Sequence, residues 1–131
     1  MGHELTPRNG TPLPSQEIAR RLRDRFAYVK VDEQEGLRLA HSMAARLERT
    51  PKRAFLGQHD EALAHAKRLR EAPLGEVLYI EFGDDPSLLI SIVVDPSEPI
   101  RISYENQDDE RDKRSLTEEC ARALDCDVEV F

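Results

Sequence analysis

Tryptophan is absent, aromatic residues make up 5% of the 131-residue chain, and cysteine occurs twice, at Cys120 and Cys126. Two cysteines cannot build a disulfide framework, and their spacing is not that of a zinc site. So few aromatics leave little on which to stack bases, which counts against nucleic acid as a partner. The six glycines are scattered at positions 2, 10, 36, 57, 75 and 83. No glycine-rich loop can therefore cradle a phosphate. Neither a G-x-S-x-G elbow nor an H-E-x-x-H pair is present, which removes two large hydrolase classes. No apolar run approaches the roughly 20 residues of a membrane helix, and residues 1–7 lack the apolar core of a secretory signal. These absences lead us to expect a cytoplasmic protein with no membrane segment, no metal and no cofactor.

What is present is charge. Charged residues form 34% of the chain, and 26 Asp and Glu against 19 Lys and Arg leave a net charge of -7. The imbalance is uneven, at +4 over residues 1–72 and -11 over residues 73–131. A molecule polarised in this way can steer a basic partner toward its acidic half.

The segment 1–14 holds three of the eight prolines and reads as a flexible Pro-rich arm. Residues 15–131 read as a single α+β domain, large enough to bury roughly two-thirds of its unfolded surface. Ser15 is the expected cap of a helix to Arg25. The β-branched and aromatic run 26–31 is read as a strand, although Leu22, Phe26 and Val29 also keep helical spacing. Asp32 with Glu35 makes a capping start for a helix to about Arg49, which Pro51 ends. Gly36 in its first turn should cost about 1 kcal/mol relative to Ala. A second helix over 58–72 completes a helical hairpin.

The period then shifts from helical to alternating. Strands are expected over 76–82, 88–94 and 100–105, with the apolar middle one central in an antiparallel meander. A charged loop over 106–114 leads to a helix capped by Ser115 and Glu118, and 128–131 returns as a C-terminal strand. The expected fold is thus α+β: a small antiparallel sheet made of the meander and the C-terminal strand, with the 26–31 strand as an optional addition. The helices pack on one face.

Candidate chemistry is sparse. His59 and His65 are six apart and cannot share a metal as an i, i+4 pair would. His41 lies at the border of its helix's apolar stripe and reads as a half-buried histidine. Both cysteines fall on core-facing positions and should be inert. The acids of 105–112 lack the spacing of a calcium loop. The basic residues Arg20, Arg21, Arg23 and Arg25, with Arg46, Arg49, Lys52 and Arg53, could meet phosphates only if gathered on one surface.

The second face of the sheet is the more informative. With Leu78, Ile80 and Phe82 facing the helices, Tyr79 and Glu81 point away, joined by Ser91, Arg101 and Ser103. Such a mixed face is too apolar to leave wet. The expectation is a small acidic protein-binding or regulatory module that masks a basic partner, with a homodimer as a further expectation. The alternative is a small enzyme or ligand-binding domain with a pocket between sheet and helices, drawing on His41, His65, Tyr79 and Glu81.

Overall fold

The structure, a computed structural model, describes residues 1–131. It is an α+β fold of four helices and six strands in two antiparallel three-stranded sheets. The elements run β1 (Gly2–Pro7), α1 (Ser15–Arg25), β2 (Tyr28–Asp32), α2 (Glu33–Arg49), α3 (His59–Glu71), β3 (Leu78–Asp85), β4 (Leu88–Val94), β5 (Ile100–Ser103), α4 (Gln107–Ala123) and β6 (Cys126–Val130). One sheet has the order β2-β3-β4 and the other β5-β1-β6.

Several expectations hold. Residues 28–32 do form a strand, with Val29 opposite Phe82 and Val31 opposite Ile80. The Asp32 carboxylate caps α2 by accepting from the Glu35 N–H at 2.8 Å, satisfying an otherwise orphaned donor. Leu78, Ile80 and Phe82 are fully buried, as are Ile90, Ile92 and Val94 of β4. They join Ile18, Ala19 and Leu22 of α1 with Leu116, Cys120, Ala121 and Leu124 of α4 in the main core.

Other expectations are corrected. Residues 2–7 are not part of a flexible arm, because β1 is the central strand of its sheet, paired with β5 and β6. Its partners lie about a hundred residues away, so nothing local announces them. Leu13 then folds back onto the main core. The meander stops after two strands: β5 leaves β4 and pairs with β1. Pro99, directly before β5, has no N–H with which to open a β4–β5 ladder. Strand β4 is therefore an edge and β3 is central.

The helices do not share one face. While α1 and α4 cover the inner face, α2 and α3 pack on the outer side through Ala40, Ala44, Ala66, Leu69 and Val77. Gly36 permits this, since a Cβ there would collide with the Val77 carbonyl. The residue that weakens the helix in isolation is the one that lets it approach the sheet.

Helix α4 begins two turns earlier than expected. Asn106 caps it by accepting from the Asp109 N–H at 2.7 Å, and Asp108, Asp109 and Glu110 sit where the helix dipole favours acids. The expected charged loop is thus helical, and Ser115 lies inside the helix. Ser15 is not a cap either: its hydroxyl donates to the Glu76 carbonyl and ties α1 to the start of β3. His41 is exposed rather than half-buried.

Candidate functional site: a groove where β4 and β5 fail to pair

Strands β4 and β5 are consecutive, joined by residues 95–99, and no backbone ladder links them. Each keeps an unpaired edge. Between those edges, on the outer side, lies a groove of ≈ 680 Å³. Helix α2 contributes Met43, Arg46 and Leu47 to its wall, and α3 contributes His65. Of the five residues singled out on the sheet face, Tyr79, Ser91, Arg101 and Ser103 line it. Glu81 does not. It stands opposite Lys30 and Ser91 in the strand register, outside the groove lining.

Alternation places these side chains. Tyr79 follows the buried Leu78 and turns outward, where its hydroxyl donates to Ser91 Oγ at 3.1 Å. Arg101 lies between the buried Ile100 and Ile102, and pairs with Glu4 across β1 at 3.3 Å. Arg46, on the exposed side of α2, has no carboxylate partner and leaves an open cation on the rim.

The loop end of the groove is acidic. Asp95, 8% exposed, is among the few buried charged residues. One oxygen, Oδ1, accepts from the Ser97 N–H at 3.1 Å and the Ser97 hydroxyl at 2.7 Å. The other, Oδ2, is closed off from solvent with no hydrogen-bond partner, alone among the buried side-chain polar atoms. His65 Nε2 stands 3.8 Å from it and 3.5 Å from Glu98 Oε1. Arg68 donates to His65 Nδ1, leaving the ring proton on Nε2, between the two carboxylates.

The groove brings several kinds of side chain together. Apolar wall, paired hydroxyls, cationic rim and acidic end converge without a nucleophile held against a base. Both cysteines lie in the core, and burial raises both thiols, that of Cys120 strongly. His3, also buried, is used structurally: its Nδ1 meets the Tyr104 hydroxyl at 3.0 Å, and that hydroxyl meets Thr117 Oγ1 at 2.6 Å. No group of three or more His, Cys, Asp or Glu side chains is arranged to hold a metal. A second cavity of ≈ 180 Å³ beneath Pro12 and Leu13 is largely apolar, with Asp95 on its margin.

Sequence reasoning missed Asp95 and Glu98, which stand in Asp95-Pro96-Ser97-Glu98-Pro99 and read as ordinary turn chemistry. Asp95 is buried by tertiary packing, with Leu13 on one side and His65 and Leu69 of α3 on the other, and no local pattern signals it.

No helix is long and apolar enough to cross a membrane. Comparison with known proteins finds no match to any family model, curated protein or solved structure.

Proposed function

We propose that this protein is a small acidic binding module that holds an extended segment of a protein partner in the groove between β4 and β5, with a basic residue of that segment at the acidic end. What carries the reading is one groove lined by Ser91 and Val93 of β4 and by Arg101 and Ser103 of β5, two neighbouring strands that no backbone ladder joins. An extended chain rises about 3.3 Å per residue, the same rise as the strand it would lie beside. Backbone bonds to an open edge supply affinity, and alternate side chains supply specificity.

Charge supports the same reading. The -11 of residues 73–131 favours a basic partner and raises its encounter rate. Two unpaired, buried thiols suit a reducing cytoplasm. The role is one of masking or regulation. A second copy of the chain is the rival occupant, opposed by a net charge of -7 on each molecule.

Selection from a random heptapeptide display library on the immobilised protein tests the reading. Enriched peptides should alternate apolar with polar residues and carry a lysine or arginine. Binding should vanish in Ser91→Trp, which fills the groove from an exposed position, without loss of thermal stability. A library that yields no enrichment, or peptides indifferent to Ser91→Trp, contradicts it. A dimer in light scattering that Ser91→Trp dissociates would instead assign the groove to a second copy.

A further inference from the structure

The acidic end of the groove has a feature that peptide docking alone does not need. Asp95 is more than nine-tenths buried, with one oxygen doubly satisfied by Ser97 and the other without any donor. Leaving a buried carboxylate oxygen unpaired forfeits the hydration it had in water, and such atoms in native folds call for an explanation. Neither Asp95 nor Glu98 is paired with a lysine or arginine of this chain. Arg101, the nearest cation on β5, is engaged by Glu4. Arg68 is turned to the far nitrogen of the His65 ring.

We infer that Asp95 and Glu98, gated by His65, form a recognition site for the side-chain cation of a lysine or arginine in the bound segment. The inference rests on the groove reading proposed above and names what its acidic end selects. An ammonium or guanidinium brings the N–H donor that Asp95 Oδ2 lacks, and Glu98, at the rim, takes a second N–H. His65 Nε2 stands 3.8 Å from Asp95 Oδ2, too far to bond it. His65 lines the groove beside Asp95, so a guest that reaches Oδ2 from the groove displaces the imidazole. Displacement of His65 is therefore the signature of occupancy. The aliphatic stem of the guest would lie along the apolar wall of Met43, Leu47 and Val93.

The test uses the full chain and two capped heptapeptides of alternating threonine and valine, one with a central lysine and the other with norleucine there. Binding is read by NMR on the backbone amides of β4 and β5 and on the His65 ring resonances. The lysine peptide should bind at least about tenfold more tightly, the return of one charge-assisted hydrogen bond, and should shift the His65 ring. Asp95→Asn keeps an acceptor for Ser97 and should erase that preference. Glu98→Gln, at an exposed position, should reduce it severalfold without affecting the fold.

If both peptides bind equally, or the preference survives Asp95→Asn, the cation site is overturned while the groove stands. If neither peptide moves the β4 and β5 amides, the groove reading falls and the cation site with it.

Discussion

On the inner face of β3, Leu78, Ile80 and Phe82 are sealed in a core shared with α1 and α4, while Tyr79 and Glu81, one residue along, stay half open on the outer face, Tyr79 among α2 and α3 residues. The inner core draws large aliphatic and aromatic side chains from both sheets. The outer contact is made mainly of alanines, with Leu69 and Val77, and ends where the groove begins. One face is packed for stability. The other holds a helical hairpin by a thin apolar seam and leaves polar groups converging beside it.

The largest effect should come from the inner face. Phe82→Ala removes a fully buried ring that packs against Phe26 with centroids 4.9 Å apart. It should cost about 3–5 kcal/mol in chemical denaturation. A loss of under 1 kcal/mol would show that the inner face is not the main core.

Gly36→Ala separates the two faces. It improves helix propensity, yet the new methyl meets the Val77 carbonyl. The expected result is a loss of about 1–3 kcal/mol, with hydrogen exchange accelerated in α2 and α3 and unchanged in α1 and α4. Net stabilisation would mean that α2 does not approach β3 closely.

Titration should distinguish buried from exposed groups next. Burial raises Tyr104, Cys120 and Cys126. The two thiols favour the folded state below the ordinary thiol range and begin to lose that contribution as pH rises above about 8.5, whereas Tyr104 does so only above about 10, the ordinary phenol value. Exposed carboxylates shift the opposite way: the Arg20 and Arg21 guanidiniums hold Glu17 down to about 2, and Arg38 lowers Glu35. Their contribution is present above the ordinary carboxylate range and is lost as pH falls through it. Melting temperature should therefore decline on both sides, and both thiols should resist a thiol reagent at pH 8 until the chain unfolds. Rapid labelling of the native protein would contradict the burial of Cys120.

The smallest stability effects belong to the groove. Tyr79→Phe removes an exposed hydroxyl pair, and Arg101→Ala a surface ion pair with Glu4. Each should change stability by less than about 0.5 kcal/mol while weakening peptide binding. Equal losses of stability and binding would make these residues structural.

Much of this division was legible in the chain. Alternation through Leu78, Tyr79, Ile80, Glu81 and Phe82 assigns the faces, and Asp32 with Glu35 marks the start of α2. Periodicity reports which way a side chain turns, not which strand lies alongside. It therefore could not reveal that β5 joins β1, or that residues 2–7 form the centre of a sheet. Asp108, Asp109 and Glu110 read as a loop because they complement a helix dipole, which composition does not display. Four of the five expected face residues meet in the groove because alternation carries across strands. Asp95 was invisible because segments distant in the chain bury it.

Hydrogen exchange of individual amides in β4 and β5 tests the central claim most directly. The account requires that the alternate amides of β4 turned away from β3, and those of β5 turned away from β1, exchange orders of magnitude faster than amides of β3. They should slow when the lysine heptapeptide is added. Strong protection of those same amides in the free protein would mean that β4 and β5 are already laddered, leaving no open edges for a partner.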